Sequence, residues 1–170
     1  MAICGFGLAD AGAGASHAIA SAPDDAAGGV VLIGAAGSYD EQRAPVASAL
    51  VAGRAELHGI SAGGRSPSEM GFALSDAADL DLRGHPDGGT LLSVARSSAD
   101  ADEAARRASA TGAVAEEMEA YAVAVAARLH GMPLTVVRGI SNAAGEHDHG
   151  RWRLSEALRA ARELLREIER

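Results

Sequence analysis

The segment EEMEAYAVAVAARLHGMPLTVVRGISNAAG, residues 116–145, concentrates the residue types that could do chemistry. Three carboxylates, Glu116, Glu117 and Glu119, bracket Met118 directly ahead of an almost wholly apolar run. On a helix starting near Glu117, Met118, Ala122, Val125 and Leu129 form one apolar stripe. Ala120, Tyr121, Val123, Ala124 and Ala127 cover most of the remainder, so the helix is predicted to be buried nearly all round. Carboxylates at a helix N-terminus favour its dipole by about 0.3–1 kcal/mol each, which accounts for Glu116 or Glu117 at an exposed start. Glu119 falls inside the buried helix, where a carboxylate needs donors or a proton. Two sources satisfy it: the paired hydroxyls of a sugar diol, or an ion pair with Arg138 or another arginine.

The next buried run, Leu134 to Val137, leads into Arg138, Gly139, Ser141 and Asn142. Ligands of open α/β sheets sit beyond the carboxyl ends of strands, which places Ser141 and Asn142 to line a site. An Asx-type turn ending the strand would also favour Asn. The stretch Gly34-Ala35-Ala36-Gly37-Ser38 follows another buried run. Its small residues would let a ligand touch the backbone, and a strand-end turn wants glycine equally. The earlier run GFGLADAG has Gly5 and Gly7 but Ala9-Asp10 where a dinucleotide fingerprint needs its third glycine. No acid ends the next strand either, so it reads as a tight turn into a helix. In GEHDHGRWR, His147 and His149 lack a third ligand at metal spacing, and a solvated polar loop is the preferred reading. Trp152 packs the last helix on this reading, the alternative being closure of a pocket for an aromatic ligand.

The elements that must position these residues follow from short apolar runs alternating with helical patterns. Predicted strands are Ala2–Cys4, Val30–Ile33, Thr90–Ala95, Ala113–Ala115 and Leu134–Val137, with a weaker one over Val46–Val51 and up to Ile60. Predicted helices are Ala9–Ser21, Ala99–Ser109, Glu117–His130 and Arg153 to the C-terminus. The last is plainly amphipathic, with Leu154, Leu158, Ala161, Leu165 and Ile168 on one face. The alternation predicts an α/β protein of one domain spanning residues 1–170, with a mainly parallel sheet. Gly59 to Gly89 reads as a loop-dominated insertion. Aromatics are only 3% of the chain while alanine, valine and glycine dominate, which predicts closely approaching layers. The net charge of −8, with arginine supplying every Lys/Arg position, argues against nucleic acid and anionic membrane as partners. Cys4 is the one cysteine, which leaves no disulfide frame or Cys-based metal site. The start has no signal-peptide pattern and the longest apolar run is too short to span a bilayer, giving a cytoplasmic expectation.

Taken together, residues 116–145 resemble the signature of the nucleoside phosphorylase and nucleosidase superfamily. There an acidic residue, Met and Glu open a buried helix, and a strand ending in Arg-x-Ile-Ser-Asp/Asn follows. GAAGS resembles that family's glycine motif, while SPSEMGF (Ser66 to Phe72) and GEHDHGRWR are similar to segments of its futalosine hydrolase branch, which serves a menaquinone route. The resemblance runs over nearly the whole chain and implies a three-layer α/β/α sandwich around a mixed, mainly parallel sheet. It implies Glu119 and Asn142 as catalytic residues, and Met118, Glu117, Ala35, Ala36, Gly37, Phe72 and Ser141 as substrate-binding. Met118 would pack on a ribose and Glu119 would hold its 2′- and 3′-hydroxyls, while Asn142 would face a 6-oxopurine and Phe72 would stack near it. The implied partner is a small-molecule purine nucleoside, with no cofactor and no metal, in a homo-oligomer. Family members carry a further strand and loop ahead of the GFG-like turn, supplying a water-activating acid or phosphate-binding groups. The chain is N-terminally short by that measure, which leaves no general base to assign and implies an open sheet edge.

Overall fold

The computed structural model describes residues 1–23, 28–71 and 75–169. Its centre is a seven-stranded mixed sheet in the order β2-β7-β1-β6-β5-β3-β4. The strands are β1 (Val30–Ser38), β2 (Ala49–Ala52), β3 (Arg54–His58), β4 (Ala77–Asp79), β5 (Thr90–Val94), β6 (Ala115–Glu117) and β7 (Leu134–Ala143). The helices are α1 (Gly7–Ala20), α2 (Ala101–Thr111), α3 (Ala120–Leu129) and α4 (Leu154–Ile168). Pairing is parallel for β1–β7, β3–β5 and β5–β6, and antiparallel for β1–β6, β2–β7 and β3–β4.

β7 is the axis of the sheet because its first eight residues are all buried. Alternation along it sends successive side chains to opposite faces. On one face Val136 joins the core that α1 and α3 build from small residues such as Ala11, Ala15, Ala120, Val123 and Ala127. A Cβ on Gly12 would lie 3.4 Å from the Ala122 Cβ, so these two helices approach as closely as the composition predicted. On the other face Gly139 meets α4 directly, and a Cβ there would strike the Ala157 carbonyl. Replacing Gly139 by Ala is therefore expected to destabilise the protein by about 1–3 kcal/mol, read as a lower urea midpoint at unchanged m. Amphipathic α4 buries Ala157 and Ala161, but Leu154 and Leu158 of its predicted apolar face are exposed.

Several boundaries differ from the sequence reading. Ala2–Cys4 forms no strand; Ile3 is 97% exposed, and Cys4 folds back so tightly that its carbonyl fills the space beside Gly14 of α1. Three residues ahead of a glycine at φ +111° are too short a run to hold a ladder against that close helical contact. The run Val46 to Ile60 gives two strands, β2 and β3, separated by Gly53, and the expected insertion contains β4. β6 begins two residues later than predicted and takes in Glu116 and Glu117, so α3 starts only at Ala120. β7 runs on through Arg138 and Asn142 rather than ending before them. Along β1, β6 pairs only with Gly37 and Ser38, whereas β7 pairs with all nine residues. An apolar groove of about 810 Å³ lies beside Val30–Ile33, walled by Met1–Gly5, by Ala15 and Ile19 of α1, and by Val123.

Candidate functional site

β6 carries two adjacent carboxylates into the interior, where each is satisfied by groups distant in sequence. Glu117, 4% exposed, accepts from the backbone N–H of Glu119 (2.9 Å) and Ala120 (2.8 Å), from Ser93 Oγ, and from Arg138 Nη2. It caps α3 as the dipole argument required, but from a buried strand end rather than from an exposed helix start. Glu116, 5% exposed, accepts from Ser98 N (2.8 Å) and Oγ (2.7 Å), Tyr39 Oη (2.6 Å) and Arg107 Nη1 (3.0 Å). Burial first, and then the hydrogen bond to Glu116, push the Tyr39 hydroxyl well above its ordinary range, so it stays a donor.

Arg107 leads from this pair to the head of α2, where Asp100 accepts from the Glu103 N–H at 2.7 Å. Glu103 in turn accepts from the Ala99 N–H (2.7 Å) and from Arg96 and Arg107 (2.8 Å each), closing a capping box. Chiefly that backbone bond, then Arg96, lower the Glu103 carboxyl to about 2 from 4.5. A carboxyl lowered on folding stabilises the protein above its unfolded value and loses that contribution as pH falls from 4.5 through 2. The Glu103→Gln variant is expected to show a shallower loss of stability across that window, measured as urea midpoints between pH 6 and 2.5.

Glu119 is the N-cap residue of α3, not an interior helical residue. Of the two readings of its carboxylate, the structure shows the ion pair with Arg138. One oxygen accepts from the Gly7 N–H at the head of α1 (3.1 Å), and the other from Arg138 Nη2 (3.1 Å). Arg138 is 2% exposed, lies over Gly34 where any Cβ would displace it, and divides one nitrogen between Glu117 and Glu119. Its Nε is the buried side-chain nitrogen without a partner among the described residues. An unpaired buried N–H costs about 1–3 kcal/mol.

Glu119 also opens onto a cavity of about 260 Å³. Ala35, Ala36 and Gly37 of β1 form one wall, Glu117 and Met118 another, and Ser141 and Asn142 a third. Eight of the nine site residues expected from sequence thus surround one space; Phe72 lies outside the described residues. Ser141 Oγ donates to Asn142 Oδ1 at 2.6 Å, and Asn142 Nδ2 donates to the Ala143 carbonyl at 2.8 Å. That fixes the amide with one Nδ2 hydrogen and one Oδ1 lone pair uncommitted among the described residues.

The remaining wall comes from the loop after β7. Glu146, His147, His149 and Trp152 all face the cavity rather than bulk solvent alone. Gly145 (φ +85°) turns the chain hard against the Asp100 backbone, where a Cβ has no room. Trp152 Nε1 donates to the Glu146 carbonyl at 2.9 Å and its ring lies 4.5 Å from that of His149. Trp152 borders the pocket at the head of α4, and His147 and His149 are exposed, as a solvated polar loop requires, while also reaching the cavity rim. The Trp–His spacing of three was the available signal, since both fall on one side of the 3₁₀ turn His149–Arg151. Phe6, Val94 and Ser97 complete the rim. Among the described residues no three His, Cys, Asp or Glu side chains cluster as a metal site, and no helix is long and apolar enough to cross a membrane.

A mixed sheet whose strand ends gather a buried Glu–Arg pair, a glycine-rich wall and an Asn around one cavity matches the Phosphorylase superfamily over residues 2–169, and the chain belongs to that family. It is 36% identical over 145 residues to a futalosine hydrolase of Streptomyces coelicolor, a match that covers 77% of this chain. The matched region spans 60% of that relative's length. The fold is that of the Helicobacter pylori futalosine hydrolase, with a TM-score of 0.81 at 18% identity over 97% of this chain and 76% of the other. It is equally that of the 5′-methylthioadenosine/S-adenosylhomocysteine nucleosidase of Neisseria meningitidis, with a TM-score of 0.78 at 20% identity over 98% and 78%.

Proposed function

We propose that the chain is a purine-nucleoside N-ribosylhydrolase that releases hypoxanthine from futalosine in menaquinone biosynthesis, acting in the cytoplasm as a homo-oligomer. The observation that carries the reading is Glu119, a carboxylate held by Gly7 and Arg138 at the edge of the same cavity as Asn142. The 36% identity to a futalosine hydrolase supports the choice of substrate.

In this reading the 2′- and 3′-hydroxyls of the ribose donate to Glu119, and Met118 lies against the sugar. Ala35, Ala36 and Gly37 offer backbone without side-chain bulk, so the sugar can approach closely. The C1′–N9 bond breaks with oxocarbenium character on the sugar, and the fixed negative charge of Glu119 favours that developing cation. Asn142 reads the base. Ser141 holds its oxygen, and the free Nδ2 hydrogen donates to N7 or O6. Adenine presents an amino donor where hypoxanthine has O6, so the Nδ2 hydrogen would meet a donor there in place of an acceptor. The apolar groove along Val30–Ile33 is a surface that association of subunits would cover.

The test is hypoxanthine release from futalosine and inosine by the purified chain, with and without phosphate. Phosphate-independent release, faster from futalosine and negligible from adenosine, is the expected result. Release only with phosphate would make the protein a 6-oxopurine nucleoside phosphorylase. Binding without release would make it a nucleoside-binding member of the family.

A further inference from the structure

We propose that His147 is the proton donor to the departing purine, a role that rests on the nucleoside reading of the cavity. Cleavage of the C1′–N9 bond leaves an electron pair on the base, and a proton delivered to a ring nitrogen stabilises it. Asn142 faces that position but its amide has no acidic proton to give. His147, five residues further along the chain, lines another wall of the same cavity.

The hydrogen bonding of His147 determines which ring nitrogen is available. Its Nε2 lies 2.9 Å from the Ser98 carbonyl oxygen, which can only accept, so Nε2 carries a hydrogen in either charge state. Nδ1 has no hydrogen-bond partner among the described residues and is the nitrogen that gains and loses the proton. The anchoring carbonyl is itself immobile. Ser98 is fully buried, and both its N–H and its hydroxyl donate to Glu116, which Tyr39 and Arg107 hold from behind. The imidazole thus hangs from a rigid support, while its own exposure lets solvent return the proton after each cycle. The charged groups around it are Glu146, Asp148, His149 and Arg151 of its own loop, Glu116 of β6 with Arg107 of α2 behind it, and Glu119 across the cavity.

The step balances without a co-reactant other than water. The C1′–N9 bond breaks and its electrons pass into the purine. The proton on His147 Nδ1 moves to N7. Water oxygen bonds to C1′, and one water proton returns to Nδ1. The products are the free sugar and the neutral base, with the imidazolium restored.

Two measurements on the whole chain test this. The first compares inosine with 4-nitrophenyl β-D-ribofuranoside, whose phenolate leaves without a ring-nitrogen proton. H147A and H147Q, the latter keeping an amide donor for Ser98, are each expected to lower kcat/KM for inosine by about 10²–10⁴-fold. The same variants should change turnover of the nitrophenyl riboside by less than about threefold. Equal losses on both substrates, or no loss on inosine, would overturn the assignment. The second uses 9-methylhypoxanthine, which has no glycosidic bond and offers N7 only as an acceptor. Its Kd for the wild-type protein is expected to be at least about threefold tighter than for H147A, because the imidazole donates to N7. Equal Kd values in the two proteins would overturn the proposal even in a protein that turned nothing over, whereas failure of phosphate-independent hydrolysis alone would count against the hydrolase reading.

Discussion

Replacing Glu119 by Gln is expected to lower kcat/KM for a ribonucleoside by about 10²–10³-fold, with little change in the stability of the fold. A hydrogen bond to a charged group is worth about 1.5–3 kcal/mol, and the carboxylate makes one to each ribose hydroxyl while opposing the oxocarbenium charge. Glutamine keeps an oxygen for the Gly7 N–H, and Arg138 keeps Glu117, so neither partner is stranded in the interior. The control is a 2′-deoxy substrate. Wild type should lose activity on it, and the variant should lose much less, because the missing hydroxyl and the missing charge belong to one interaction. Equal additional losses from the two changes would place Glu119 outside the sugar site.

The largest effect on stability is expected at Arg138. Removing one member of a buried ion pair typically costs about 3–5 kcal/mol, because the charge left behind has no solvent to repay it. Arg138→Ala would leave Glu117 buried with only neutral donors, Ser93 and two backbone N–H groups, and would free Glu119 from its arginine. It would also open space over Gly34, which is glycine because the guanidinium lies there. A second substitution tests the cause. Glu117→Gln on the Arg138→Ala background removes the stranded charge and should recover part of the loss, read from urea midpoints in a double-mutant cycle. A single-variant cost below about 1 kcal/mol would contradict the assignment of this pair as a buried keystone that links β6 to β7 across β1.

How far the sequence led is clearest at these same residues. The runs around Val30 and Leu134, the nearly dry helix after Glu119 and the amphipathic α4 were legible because short β-branched runs and three-and-four spacing are local signals. The cavity residues on β1, β6 and β7 were legible because the motif residues sit at strand ends. Glu116 and Glu117 were not legible as strand, since adjacent carboxylates read as a helix start. What lets a strand bury them is Ser93, Ser98, Arg107 and Arg138, none nearer than nine residues away. The loop carrying His147 and Trp152 was legible as exposed, but its place at the cavity was only the less favoured reading for Trp152. Its polarity suggests solvent, and only the long-range bonds to Ser98 and the tight passage of Gly145 over α2 turn it toward the cavity. Ala2–Cys4 shows the opposite error, a strand-like composition with no ladder to join.

Trp152 is the sole tryptophan and lines the cavity, so its fluorescence reports directly on whether the cavity takes a purine ribonucleoside. The decisive measurement is a titration of the wild-type chain and of Glu119→Gln with carbocyclic inosine, whose methylene in place of the ring oxygen removes the labile bond but keeps both hydroxyls and N7. A saturable fluorescence change in wild type, with Kd weakened at least about tenfold by the substitution, is the predicted result. No change at millimolar ligand, or identical curves for the two proteins, would contradict a nucleoside site at Glu119.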